Sequence, residues 1–393
     1  MLMPFSDGKA TDSDVRNQAM LEAYRVSMAM GEEDVGQKML DELIGGQQEN
    51  EAVSDVVWVA LYERMLGNYQ KGRLEQAVAD GELFLRFRGN VQEMTPWARE
   101  FFVLFGDVQA ARRQWKAASQ MYLRLELLGK AETMDSMMQY AMFEAANCLF
   151  LNNEPAVAET IIERHFADKT ELETHYRYES LMLQGKCKQA QGDYNGAGKC
   201  FEKAQEVSGQ SDTYKSCLAR CRRGEMLLME AEGELGKQKV GDQAEAMKTL
   251  ARASEIFSSL VEQKDSKDNT VAAVKDHCFD LYLRAQFELG ECYESMMNGE
   301  NGAKEARENA LWCYRRIGDF FVAKYRDGDR VQSSRYYVRS VERRVNLLLG
   351  GNELPSKEVL DTVARLYEEY SRMALPGSDM AAKRAEELRK RLK

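Results

Sequence analysis

A small or helix-compatible residue returns about every forty positions in this chain, with a second small residue a fixed distance behind it. The anchors are Tyr24, Met65, Gly106, Ala146, Gly185 and Gly224, separated by steps of 41, 41, 40, 39 and 39. Their partners, each twelve residues on, are Gly36, Ala77, Ala118, Ala158 and Ala197. Self-similarity at such a period is the signature of a solenoid, in which each unit buries its apolar face only against its neighbours. A stack of this kind offers a long concave surface and usually no catalytic pocket.

Helices are the material of the repeat. Only five prolines interrupt 393 residues, and 21 methionines supply flexible helix formers that fill irregular gaps. Apolar residues recur at three and four positions, as in Phe101, Leu104, Phe105 and Val108. The spacing predicts helix pairs at 13–30 with 33–45, 52–68 with 73–88, 96–113 with 116–129, 133–151 with 155–167, and 171–191 with 194–208. Thr95-Pro96, Pro155 and Ser356 mark helix starts, and Ser378 can cap the last helix. After Gly224 the next alanine-rich position is Ala246, a gap of 22, and after Gly290 it is Ala310, a gap of 20. Longer hairpins are therefore expected near 212–264, 270–326 and 329–374, with turns in the stretches 233–243 and 298–302 and a closing helix at 378–392. The expectation is an all-α protein: an α-solenoid of about eight antiparallel helix hairpins with a C-terminal capping helix. It divides into a flexible tail at 1–12, a regular solenoid at 13–211, hairpins with longer helices at 212–375, and the cap at 376–393.

The segment 178–211 resembles a tetratricopeptide repeat. Gly185, Gly192, Asp193, Tyr194, Ala197, Phe201 and Ala204 carry that family's residue types at its spacing. Gly106, Trp115, Ala118 and Tyr122 repeat the pattern, and Ala146, Ala158 and Ile162 repeat it more weakly. The period near forty exceeds the family's usual 34, so helices or turns are longer here. In the repeat, Gly106, Ala118, Ala146, Ala158, Gly185, Ala197 and Phe201 are the packing positions: small residues for close approach, the aromatic to fill the space beside them. The resemblance implies a right-handed superhelix whose first helices line a groove for a peptide or partner helix. Carried over, the groove positions are Tyr140, Phe143 and Asn147, then Glu179, Met182, Lys186 and Gln189, then Arg222 and Glu225. This mixed apolar and charged surface suits an amphipathic segment. One subclass of the family clamps a C-terminal carboxylate with polar residues on three hairpins. Asn147 and Arg222 agree with that arrangement, but Phe143, Leu183 and Leu218 stand at its other positions, which does not support a clamp.

Motifs of catalysis are missing. There is no phosphate-binding loop, no His-Glu-x-x-His and no Gly-x-Ser-x-Gly. Eight cysteines occur without a Cys-x-x-Cys, inside apolar-periodic segments, which reads as reduced buried thiols. Cys217 and Cys221 share a helix face beside Arg220, Arg222 and Arg223, so a thiolate at Cys221 is weighed against a small core residue, and the core reading is preferred. His165, His175 and His277 do not form a metal-binding spacing. No enzyme, cofactor or metal is expected.

Charge is uneven. Residues 311–393 hold 18 basic against 12 acidic residues, while the whole chain is at −10. The acidic remainder should repel nucleic acid and anionic membrane. Arg335, Arg339 and Arg343, spaced by four within 315–344, form a basic face: either a site for an anionic ligand or membrane surface, or a helix face paired with acidic groups of the same protein. The first fourteen residues lack a signal-peptide core, so a cytoplasmic location is expected, or a periplasmic one if a leader was removed. The functional expectation is a non-enzymatic scaffold or adaptor that binds a peptide or helix of a partner protein, or self-associates. The alternatives are an anionic-surface adaptor through 315–344 and an accessory subunit of a bacterial envelope assembly.

Overall fold

A computed structural model of the chain describes residues 12–46, 55–88, 96–128, 134–167, 172–209, 213–236, 240–262, 279–297, 302–326, 334–350, 355–373 and 375–392. These form α1 (Asp12–Ala29), α2 (Glu33–Gly45), α3 (Asp55–Gln70), α4 (Leu74–Arg88), α5 (Pro96–Ala111), α6 (Trp115–Leu128), α7 (Ser136–Leu151), α8 (Pro155–Phe166), α9 (Thr174–Ala190), α10 (Tyr194–Ser208), α11 (Thr213–Leu235), α12 (Val240–Val261), α13 (Phe279–Met296), α14 (Ala303–Arg326), α15 (Ser334–Leu349), α16 (Lys357–Ser371) and α17 (Ser378–Leu392). Helices pack in sequence as hairpins, and first helices also touch the next first helix, α1 on α3, α3 on α5, α11 on α13 and α13 on α15. The all-helical solenoid architecture is thus present in the chain itself.

One turn is built five times. The residues with left-handed backbone at the hairpin tips are Gly31, Gly72, Arg113, Asn153 and Gly192, with φ of 79°, 71°, 60°, 63° and 81°. Their spacing is again 41, 41, 40 and 39. In each turn the following residue donates its N–H five residues back: Glu32 to Ser27, Arg73 to Asn68, Gln114 to Gln109, Glu154 to Leu149 and Asp193 to Lys188, at 2.8–2.9 Å. This closure satisfies helix-end carbonyls and reverses the chain within three residues. At the fifth tip the Asp193 side chain also accepts from Gly196 N at 2.8 Å, capping α10.

In two hairpins the glycine anchor and the residue sixteen positions later have complementary volumes. Gly106 receives the ring of Tyr122, and Gly185 receives that of Phe201. A Cβ at Gly185 would lie 2.5 Å from the Phe201 ring, and one at Gly106 would lie 2.5 Å from Tyr122. Gly81 instead receives Phe105 of the next first helix, which a Cβ would meet at 2.4 Å. The expected role of the glycines is refined accordingly: they admit an aromatic ring rather than a neighbouring backbone. Ala118, Ala146, Ala158, Ala197 and Phe201 are all fully buried.

The lengthened hairpins use the same device with wider spacing. Gly224 receives Phe257, and Gly290 receives Tyr314. The extra residues extend the helices more than the turn: α11 runs 23 residues to Leu235, so Gly233 and Glu234, expected in a turn, are helical. Ser356 caps α16 by accepting from Val359 N at 3.3 Å. Ser378 is itself the first residue of α17, and Gly377 before it holds φ at 88°. Thr95 and Asn298–Asn301 lie outside the described residues.

Two compact units divide the contacts, Met1–Tyr176 and Arg177–Lys393. In the first, a buried ion pair ties α3 to α4: Arg64 lies 2.6 Å from Asp80, which also accepts from Asn68 at 3.0 Å. In the second, the main core gathers Phe257, Phe287, Tyr314, Phe321 and Tyr337 between α12 and α15. The last helix is fastened by Arg389, which reaches Glu368 at 2.7 Å and also bonds Asp361.

Candidate functional site

In the unit Met1–Tyr176, the first helices present a row of half-buried tyrosines and carboxylates. Asp107 follows the anchor Gly106 on α5 and is met by the same α6 residue whose ring is seated on that glycine. Tyr122 donates to Asp107 Oδ1 at 2.6 Å, and Tyr140 of α7 donates to the same oxygen at 2.7 Å. Burial pushes the Asp107 carboxyl above its ordinary range, and these two hydroxyls act against that rise. The same burial, with Asp107 alongside, pushes both tyrosines far up, so they stay protonated donors.

One helical turn beyond Tyr140 sits Glu144, which accepts from Asn147 at 3.3 Å. Burial raises its pKa, and Asp107 adds to the rise. Among the described residues, neither Asp107 nor Glu144 has an ion-pair partner. Phe143 packs on Tyr176 with ring centroids 6.1 Å apart. Burial raises the pKa of Tyr62 and Tyr69 of α3, and the Asp107 charge adds to the rise in both.

Of the groove positions expected in this unit, Tyr140, Phe143 and Asn147 are therefore neighbours on one partly exposed strip. Asp107 was missed, although its signal was present. It stands one residue after its anchor, the register of Asn147 and Lys186.

The unit Arg177–Lys393 corrects part of the expected groove. Met182 is 4% exposed and packs with Tyr178, Phe201 and Met226, because α10 and α11 close over it. Glu225 is 5% exposed, enclosed by Arg284 and by Arg222 at 3.1 Å. Neither can line an open surface. Glu179, Lys186, Gln189 and Arg222 remain partly exposed. Glu179 lies 3.8 Å from Lys215, and Gln189 donates to Met229 Sδ at 3.6 Å. Burial and the Arg222 charge both lower the Lys186 pKa.

The basic face is largely neutralised from within. Arg343 reaches Glu291 at 2.8 Å and Glu294 at 3.3 Å, and Arg339 reaches Glu291 at 3.2 Å while covering the Phe287 ring. Arg335 stacks on Tyr336 and donates to its hydroxyl at 3.0 Å. Between these helices the Glu288 carboxyl is pushed up to about 8, first by burial, then by Glu225 and Glu291. Arg330 and the side chains of Lys324 and Arg326 lie outside the described residues.

Cys221 is fully buried, and burial drives its thiol well above the usual value. The cations beside it in sequence are engaged elsewhere: Arg223 with Glu202 at 2.9 Å, Arg220 with Ser259 at 3.4 Å. It is a core residue. Cys217 is buried too. His165 Nε2 lies 3.3 Å from Glu126, and His175 packs on Tyr176. His277 is outside the described residues. Among the described residues no group of three or more His, Cys, Asp or Glu could hold a metal, and no helix is long and apolar enough to cross a membrane.

Compared with known proteins, the chain matches no family model and no curated protein sequence. It is similar to several solved helical-repeat structures. These include apo RapI, at 14% identity and TM-score 0.41 over 85% of this chain and 97% of that one. A Rap protein complexed with competence and sporulation factor matches at 15% identity and TM-score 0.31, over 96% and 98%. The P58(IPK) TPR domain matches at 13% identity and TM-score 0.26, over 96% and 99%. The hairpin register, the repeated turn and the ring-on-glycine contact make this a helical repeat protein, and its fold is similar to that of tetratricopeptide-repeat structures.

Proposed function

We propose that this protein is a non-enzymatic scaffold that binds a segment of a partner protein along the first-helix face of its N-terminal unit. The observation that carries the reading is the strip of Asp107, Tyr140, Phe143, Glu144, Asn147 and Tyr176, partly exposed, aromatic and polar. Such a surface combines area that a partner can bury with hydrogen-bonding groups that fix its register. Tyrosine supplies contact area at low entropic cost.

The basic-face alternative has less support. Two of its three arginines spend their charge on Glu291 and Glu294.

A pull-down from the native cell extract tests the scaffold reading. Phe143→Glu places an unpaired charge in the middle of the strip and should abolish capture at unchanged helicity. The Arg339→Ala, Arg343→Ala double variant should retain it. The reverse pattern would transfer the function to the basic face.

A further inference from the structure

We infer that the partner segment carries arginine or lysine side chains, which dock against Asp107 and Glu144 with their stems lying along Tyr140 and Phe143. The inference rests on the scaffold reading and names the chemistry of its partner.

Three observations converge on it. The first is that no counter-charge meets Asp107 or Glu144 among the described residues. Elsewhere in the same unit, carboxylates are met by cations: Asp80 by Arg64, Asp135 by Arg99 at 2.6 Å, Glu75 by Arg112 at 2.9 Å and Glu126 by Arg164 at 2.8 Å. Asp107 and Glu144 are more enclosed than most of these, yet among the described residues only neutral donors reach them.

The second is the aromatic setting. Tyr122 and Tyr140 meet edge to face at 6.2 Å, and Phe143 and Tyr176 lie at 6.1 Å, so rings flank both carboxylates. A guanidinium or ammonium gains from a carboxylate and a ring face at once, and its aliphatic stem covers apolar surface.

The third is the charge of the whole unit. Residues 1–176 hold 29 acidic against 17 basic residues, a balance of −12, which exceeds the −10 of the entire chain. A basic segment is therefore steered to this unit before any contact forms.

The occupant is thus a basic, partly apolar peptide segment. A nucleic acid or an anionic lipid would be repelled by the same carboxylates.

The test uses the full chain and a fluorescein-labelled amphipathic peptide whose leucine stripe is flanked by arginines. Companion peptides replace every arginine with glutamine or with glutamate. Fluorescence anisotropy should rank affinity arginine, glutamine, glutamate. Asp107→Asn with Glu144→Gln should weaken the arginine peptide about tenfold, because a charge-assisted contact in a half-buried site is lost. The asparagine can still accept both tyrosine hydroxyls, and circular dichroism checks the fold. Glu32→Gln with Asp34→Asn removes two exposed charges from the start of α2 and should change binding little.

Failure of the arginine peptide to bind overturns the inference. So does equal weakening by the control pair, which would mean net charge alone is sensed. Equal affinity for the arginine and glutamine peptides, both lost on Phe143→Glu, also overturns it but leaves the scaffold reading standing.

Discussion

Phe201 of α10 lies so close on Gly185 of α9 that a single methyl group at Gly185 would come within 2.5 Å of its ring. The same relationship joins Gly106 to Tyr122, Gly224 to Phe257 and Gly290 to Tyr314. Ring-on-glycine packing is the recurring contact that holds these hairpins shut.

It follows that Gly185→Ala overpacks the hairpin by about 1–3 kcal/mol, more than the roughly 1 kcal/mol gained from alanine's better helix propensity. Thermal melts should show Gly185→Ala below wild type. Adding Phe201→Leu should recover part of the loss, since the smaller side chain vacates the space. Strictly additive losses would show that the two residues do not share it.

The repeated turn makes a second prediction. Arg113 and Asn153 occupy the left-handed position that glycine fills in three sister turns. Arg113 pays a steric cost there that asparagine largely escapes. Arg113→Gly should therefore raise stability by about 0.5–1 kcal/mol, and Asn153→Gly by less. A fall in melting temperature for Arg113→Gly would contradict the turn assignment.

Glu288 gives the protein a dependence on pH. Its folded pKa of about 8 lies above the ordinary carboxyl value of the unfolded chain. Between those two values the folded state holds a proton that the unfolded state has released. Stability from this group therefore falls as pH rises from near 4.5 to 8, and the penalty is complete above 8. Glu288→Gln removes the ionisation and should stabilise the protein by roughly 1–3 kcal/mol at pH 8.5 while changing little at pH 5. Denaturant midpoints at the two pH values check this; an equal effect at both would show that Glu288 is ionised throughout.

Thiol chemistry supplies a fourth prediction. The seven described cysteines are all buried. In a Cys278→Ser background, native protein should react with a thiol reagent only slowly, and denaturant should release the reaction. Rapid native labelling at Cys221 would restore the thiolate reading.

The architecture was legible because a repeat averages over its own noise. No single helix in the first five hairpins needed to be certain, since the steps of 41, 41, 40 and 39 place every anchor, partner and turn. The face of each helix was harder. Met182 and Phe143 stand three residues before their anchors, in the same register, yet Met182 is buried and Phe143 is not. The difference lies in how closely the following helices pack, which no pattern on one helix encodes. Glu225 misled for a related reason. Its partners Arg222 and Arg284 sit on α11 and α13, and the second of these is 59 residues away, so a charged residue that looked solvated is enclosed. The Asp107 site could have been found by extending the Asn147 and Lys186 register one repeat upstream. Its two tyrosine donors could not, because their meeting depends on three helices at once.

Recognition along the first-helix face is the claim on which the functional account turns, and site-specific photocrosslinking tests it most directly. A photoreactive phenylalanine analogue would replace Phe143 on the strip, or Val157, which is 46% exposed on α8. With native partner extract or the arginine peptide, crosslinks should form from position 143 and be scarce from 157. Crosslinks from 157 with none from 143 would place the partner on the second helices and contradict the account.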